Sequence, residues 1–123
     1  MAAEGYHEPL EQLTAPTQDL HRAIRSLMEE LEAVDWYQQR VDACQDDDLR
    51  SILAHNRDEE KEHAAMVLEW IRRRDTVFDE QLKKYLFTGG PIVGREEGSK
   101  AQRAGTVQSP ESIGSLRRSE RSK

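Results

Sequence analysis

The chain has almost no cysteine and no long apolar run. Cys44 is the single cysteine among 123 residues, which excludes an intramolecular disulfide and indicates a reducing cytosol. Cys44 lies near a predicted turn without a second thiol, so we interpret it as structurally incidental. No stretch is long and apolar enough for a membrane span and no signal peptide opens the sequence, so we expect no membrane association.

Hydrophobic residues are also scarce, at 36% of the chain against 34% charged residues. A chain this polar is either partly disordered or completes its core with another copy of itself. Residues 1–93 carry 11 basic and 20 acidic residues, a net −9, whereas residues 94–123 carry 7 basic and 4 acidic residues, a net +3. The acidic body repels nucleic acid and attracts cations.

The apolar pattern predicts an all-α chain with two long helices and a short third helix. The first helix ends near Ala43, and Pro16 either lies in its first turn or kinks a longer helix. A turn at residues 45–48 leads into the second helix, whose period runs from Leu49 to Arg74. So short a link makes the two long helices antiparallel neighbours. The third helix is predicted from Thr76 to Phe87, before two glycines.

Two polar residues, Glu60 and His63, interrupt the apolar stripe of the second helix. A buried carboxylate is destabilising by several kcal/mol unless it is paired or binds a metal, so we interpret the pair as metal ligands. Glu-x-x-His one turn apart is the element with which helical bundles hold iron or manganese. The apolar and polar positions that share this stripe are Leu49, Leu53, Asn56, Glu60, His63, Val67 and Trp70.

The first helix supplies one further candidate ligand, Glu30, at the edge of its own stripe. A di-iron site takes one Glu from each of two helices and Glu-x-x-His from each of two others, so this chain carries half of the set. Two copies around a two-fold axis complete it, and we expect a metal site at a dimer interface. Carboxylates with one imidazole favour iron or manganese over a closed zinc site. Tyr37, about two turns after Glu30, can hydrogen-bond a ligand.

Simpler interpretations exist for several of these residues. Glu30 is either a ligand or a surface acid whose carboxylate reaches solvent. Glu29 and Glu32, on residue spacing alone, are typical of a solvated acidic face. Trp36 on that face indicates a contact surface. Glu59 lies near the stripe edge and its role stays open, whereas His55 and Glu62 lie off the stripe.

Three segments resemble the encapsulated ferritins. They are EELEAVDWY at residues 29–37, HNRDEEKEHAAM at residues 55–66 and YLFT at residues 85–88, and the similarity extends over about residues 7–93. The resemblance implies a two-helix protomer that rebuilds a ferritin-like four-helix bundle by homodimerisation, within a ring-shaped decamer. It further implies a ferroxidase that oxidises ferrous iron with dioxygen and is cargo of an encapsulin shell, a cytoplasmic nanocompartment that stores the iron.

The resemblance also assigns roles to individual residues. Glu30, Glu60 and His63 correspond to the ligands of the di-iron site, with Tyr37 as the nearby tyrosine. Glu29 and Glu32, with Trp36 beside them, correspond to an acidic access site where iron or other divalent cations arrive.

The tail carries a second similarity. SIGSLRR, at residues 112–118, resembles the peptide that docks cargo on the inner wall of an encapsulin. Ile113 and Leu116 can fill apolar pockets and Gly114, next to Ser115, permits close backbone approach. Arg117 and Arg118 can meet acidic shell residues. We therefore divide the chain into a disordered N-terminus at 1–8, a half-ferritin domain at 9–93 and a disordered tail at 94–123.

Two alternative functions compete with a ferroxidase. One is a non-enzymatic oligomeric helical adaptor that merely binds divalent metal through its acids. The other is a hemerythrin-like oxygen carrier, which needs more histidine than the 4 residues present here.

Overall fold

The computed structural model describes residues 5–95, which contain three α-helices and no strand. Helix α1 spans Ala15–Ala43, helix α2 spans Asp47–Arg74 and helix α3 spans Thr76–Tyr85. A short 3₁₀ turn, Leu10–Gln12, precedes α1. The prediction of an all-α chain with two long helices and a short third one is confirmed. Within the described range, no helix combines the length and apolarity that crossing a bilayer requires.

The start of α1 is set by capping, and Pro16 lies in its first turn. The Thr14 side chain accepts a hydrogen bond from the backbone N–H of Thr17, at 3.2 Å, which satisfies one of the free donors at the helix end. A proline in the first turn removes an N–H that has no helical partner. Of the two alternatives for Pro16, the structure therefore has the first-turn position and not the kink.

The link between α1 and α2 is fixed by a second cap. The Asp46 carboxylate accepts from the backbone N–H of Leu49 at 2.9 Å, so α2 begins at Asp47, two residues before the predicted start. Arg50 reaches back over the link and donates from Nε and Nη2 to the Cys44 carbonyl, at 3.1 and 2.7 Å. These bonds hold the turn with the two helices side by side.

The cross-helix contacts show that α1 and α2 run antiparallel. Near the link, Arg57 Nη1 donates to Gln38 Oε1 at 2.9 Å. Farther along, His63 Nδ1 lies 3.6 Å from Glu30 Oε1. Later residues of α2 thus contact earlier residues of α1, as the short link predicts.

The buried face of α2 is centred one position later than the sequence pattern predicted. Ala64 and Ile71 are the buried residues among those described, with 8% and 1% of their surface exposed. They lie seven residues apart and point toward α1. The expectation that Glu60 and His63 are buried at the centre of the stripe is wrong for a single copy, since both are only half-buried.

Much apolar surface stays exposed on the two long helices. Such a surface is typical of helices that pack against a further partner. The exposed large apolar side chains on α1 and α2 are Ile24, Met28, Leu31, Trp36, Leu49, Ile52 and Met66.

The chain divides into two compact units between Asp79 and Glu80. In the second unit, α3 ends at Tyr85, two residues before the predicted Phe87. Phe87 adopts a left-handed φ of 61°, which a continuing helix does not permit. Thr88 Oγ1 donates to the Tyr85 carbonyl at 2.8 Å and satisfies that helix end. The helix thus stops four residues before the first of the two glycines.

The termini are described only in part. In the predicted loose N-terminus, Tyr6 stacks on His21 of α1 with ring centroids 4.0 Å apart. The predicted docking peptide, residues 112–118, lies outside the described residues. The division into three segments stays a prediction.

Candidate metal centre

The two long helices bring three potential ligands together at mid-length. Glu30 comes from α1, whereas Glu60 and His63 come from consecutive turns of α2 and therefore share one face. One ligand atom from each residue lies within 4.8 Å of the other two. The three residues that the sequence pattern predicts as metal ligands thus converge in a single chain.

The histidine ring is the centre of this group. Its Nδ1 atom lies 3.3 Å from Glu60 Oε1 and 3.6 Å from Glu30 Oε1. The side chains of Glu30 and Glu60 are 25% and 24% exposed, and that of His63 is 42% exposed. The group is therefore screened on the helix-facing side and open on the other, so further ligands can reach it.

The neighbouring Glu60 carboxyl and partial burial raise the pKa of Glu30. A hydrogen bond with the Glu60 carboxyl is the largest cause, followed by burial and by the negative charge of Glu60. The His63 ring acts in the opposite direction but does not cancel them. In the protein without metal, Glu30 therefore keeps its proton to a higher pH than a carboxyl in water does. A cation can replace that proton.

The pKa of His63 is also raised. Burial alone lowers it, but the hydrogen bond with Glu60 and the charges of Glu30, Glu60 and Glu59 outweigh that loss of hydration. The site therefore carries a field that attracts positive charge, whether a proton or a metal ion. The same field suits a divalent cation at the position between the three side chains.

The donor set fits a hard cation. Two carboxylates and one imidazole are ligands that iron and manganese accept, and thiolates are absent from the group. Three donors from one chain leave coordination positions open. They are also half of the four carboxylates and two imidazoles that a di-iron site in a helical bundle uses.

The other predicted site residues do not join this group in a single chain. Tyr37 is half-buried, and the guanidinium of Arg40 lies 5.2 Å from the centre of its ring. Among the described residues, Tyr37 makes no hydrogen bond to the three candidate ligands. Glu29 and Glu32 are exposed and form no ion pair within the described range, and Trp36 beside them is 49% exposed.

Glu59, whose role the sequence left open, lies against the candidate centre. Its Oε1 atom is 3.9 Å from Nε2 of His63, the ring nitrogen opposite the one that faces Glu30 and Glu60. The four-residue spacing of Glu59 and His63 on one helix is the signal that predicts this contact. Both partners remain partly exposed.

Comparisons with known proteins agree with this architecture. An encapsulated ferritin-like protein of Rhodospirillum rubrum is 57% identical over 121 residues, which covers 92% of this chain and 86% of that protein. A ferritin-like protein of Thermotoga maritima is 56% identical over 95 residues, covering 77% and 83%. The encapsulin nanocompartment cargo protein EncC of Myxococcus xanthus is 37% identical over 112 residues, covering 81% and 86%.

A solved structure extends the agreement to the fold. The crystal structure of protein ne0167 from Nitrosomonas europaea is 67% identical, with a TM-score of 0.71, and the match covers 72% of this chain and 98% of that one. The sequence pattern that defines the EncFtn-like family matches residues 5–89, the segment that holds all three helices and the candidate centre. The chain belongs to the EncFtn-like family.

Proposed function

We propose that this protein is a ferroxidase that oxidises ferrous to ferric iron with dioxygen, at a di-iron site formed between two copies of the chain. The product is delivered for storage inside an encapsulin nanocompartment. The names of the relatives, encapsulated ferritin-like protein and encapsulin nanocompartment cargo protein, support this assignment. Iron is the substrate here, and the chain supplies the ligands.

The observation that carries the proposal is the convergence of Glu30, Glu60 and His63 from two helices. These residues provide two carboxylates and one imidazole, half of a ferritin-type ligand set. The apolar surface left exposed on α1 and α2 supports a second copy as the source of the other half. A two-fold axis through the group places equivalent ligands on both sides of two irons.

The ligand charges favour the reaction. Anionic carboxylate oxygens stabilise ferric iron more than ferrous iron, which makes electron loss easier. Two ferrous ions give up one electron each, and dioxygen takes up the two electrons with two protons from solvent to form hydrogen peroxide.

Residues outside the ligand group have supporting roles in this proposal. Glu29 and Glu32, exposed on the surface of α1, attract ferrous iron or other divalent cations, with Trp36 beside them. Tyr37 hydrogen-bonds a ligand once the second copy has closed the site. Several dimers form a ring-shaped decamer, which is open and therefore leaves mineral storage to the shell.

An iron-oxidation assay tests the enzymatic part of the proposal. Ferrous iron added to the wild type in air develops ferric absorbance, and the Glu60→Ala and His63→Ala variants are at least about tenfold slower. Glu62→Gln is a matched control, because Glu62 is exposed on the same helix and lies outside the ligand group. Equal rates in all four proteins leave the alternative, a non-enzymatic helical adaptor that binds divalent metal.

A further inference from the structure

The two nitrogens of the His63 ring have different surroundings. Nδ1 faces the candidate centre, 3.3 Å from Glu60 and 3.6 Å from Glu30. Nε2 points away from it and lies 3.9 Å from Oε1 of Glu59. When Nδ1 binds a metal, a neutral imidazole must carry its single proton on Nε2.

Glu59 has a second imidazole on its other oxygen. Oε2 of Glu59 is 3.9 Å from Nε2 of His55, whose side chain is 70% exposed. His55, Glu59 and His63 follow at four-residue steps, so they form a column along one side of α2. The carboxylate stands between an outer histidine and the ligand histidine, and its side chain is 48% exposed.

We propose that Glu59 is a positioning residue that orients His63 for metal binding. Its carboxylate accepts a hydrogen bond from Nε2–H of His63, which fixes the ring with the Nδ1 lone pair toward Glu30 and Glu60. Histidines that bind metals commonly donate their other N–H to a carboxylate in this way. The inference rests on the proposed function, because it assigns His63 as a ligand.

The distance suits a contact that tightens on binding. A flexible glutamate side chain closes the gap of 3.9 Å by rotation, or one water bridges it. His55 lies 3.9 Å from the opposite oxygen, so each carboxylate oxygen of Glu59 has an imidazole nitrogen nearby. Glu62 is also exposed on α2, but it makes no hydrogen bond or ion pair with the His63 ring in the described structure.

The experiment measures binding of zinc, a redox-inert probe, to the full-length protein and to three variants. Glu59→Ala lowers the zinc affinity about 10- to 100-fold. The zinc affinity of Glu59→Gln, whose amide oxygen still accepts a hydrogen bond from Nε2–H, lies between those of Glu59→Ala and the wild type. Glu62→Gln, which removes the same charge three residues away, leaves the affinity within about twofold. The number of zinc ions per chain stays the same in all four proteins.

Nitrogen NMR of the zinc-loaded protein gives a second readout. The Nε2–H resonance of His63 is slowly exchanging in the wild type and exchanges faster in Glu59→Ala, because the acceptor is gone. Glu59→Ala with wild-type affinity and an unchanged resonance overturns the proposal. So does the loss of one zinc per chain, since Glu59 is then a ligand itself. A wild type that binds no zinc refutes the metal site as a whole, which is a different failure.

Discussion

Nδ1 of His63 on α2 lies 3.6 Å from Oε1 of Glu30 on α1, so the candidate centre spans the only long helix pair in residues 5–95. Glu30 and Glu60 both face this nitrogen, and the pKa values of Glu30 and His63 are raised. The hydrogen bond with Glu60 is the main cause for Glu30. For His63 the same residue's hydrogen bond, with the surrounding charges, outweighs burial. Without a metal, the protonated forms of Glu30 and His63 therefore persist to a higher pH than they do in water.

The first prediction concerns pH and the metal-free protein. A raised folded-state pKa gives stability that is complete below the unfolded-state value, 4.5 for Glu30 and 6.5 for His63, and is lost as pH rises through the folded-state value. We expect the thermal midpoint to fall between about pH 5 and about pH 8. The thermal midpoint of Glu30→Gln, whose side chain cannot ionise, should fall less. At the upper pH it should lie about 2–5 °C above that of the wild type.

The comparison that decides this prediction is between stability and function in the same variant. Thermal melts monitored by circular dichroism in the presence of a chelator measure stability. The rate of iron oxidation measures function. Glu30→Gln should gain stability and lose oxidation, whereas Glu62→Gln should change neither. A Glu30→Gln protein that melts below the wild type at about pH 8 contradicts the raised pKa.

The second prediction is that metal and pairing are coupled. If each chain holds half of the ligand set, a metal ion stabilises the dimer and shifts the mass distribution toward it. Native mass spectrometry of the wild type with zinc should show paired chains carrying two ions per pair. His63→Ala should show neither the ions nor the shift. Metal bound to single chains, without any shift toward paired chains, would refute the shared site.

The ligand group was predictable from sequence because helical spacing controls it. Glu60 and His63 are three residues apart, so any helix places them on one face, and the short link at Asp46 forces α1 back along α2. Glu30 then needs only the right register to meet them. The caps at Thr14 and Asp46 also use residue types whose preference is strong.

The burial of individual residues and the end of α3 were not predictable in the same way. The period of 3.6 leaves the centre of a helix face uncertain by one position, and Ala64 and Ile71 are buried where His63 and Trp70 were expected. The end of α3 depended on the backbone of Phe87, a non-glycine residue at positive φ that no local pattern signals. On α2, packing against α1 rather than residue type decides which positions are buried.

The third prediction concerns acid stability at the end of α2. The pKa of Glu69 is lowered to about 2, first by a hydrogen bond from Arg72 and then by one from Arg73. A lowered folded-state pKa gives stability that is present above the unfolded-state value of 4.5 and lost as pH falls toward about 2. Arg72 also pairs with Asp79, so the network ties the last turn of α2 to the first turns of α3.

Glu69→Gln measures this contribution directly. We expect the variant to melt below the wild type at about pH 6, and the difference to shrink as the pH falls through about 2, because the Glu69 carboxylate of the wild type then takes up a proton. The difference in thermal midpoint between the two proteins, followed across that window, is the measurement. A constant difference at every pH would mean that Glu69 acts through packing and not through its charge.

The fourth prediction separates the core of the protomer from its outer surface. Ile71 is 1% exposed, so Ile71→Ala leaves a cavity between the helices and destabilises the protein by about 2–4 kcal/mol. Ile52 on the same helix is 56% exposed. We expect Ile52→Ala to keep its helix content but to weaken association between copies. Urea titration by circular dichroism and sedimentation velocity measure the two effects, and equal loss of helix in both variants would contradict the distinction.

The final prediction concerns residues 112–118, which lie outside the described structure. Deleting them should abolish co-purification with a co-expressed encapsulin shell, because Ile113 and Leu116 no longer fill apolar pockets on the wall. Iron oxidation by the free protein should be unchanged, since the candidate centre is built from α1 and α2. Deleting residues 96–102, an equal length of chain, shortens the tether and should retain co-purification. Shell association that survives loss of residues 112–118 but not of residues 96–102 would place the docking signal elsewhere in the tail.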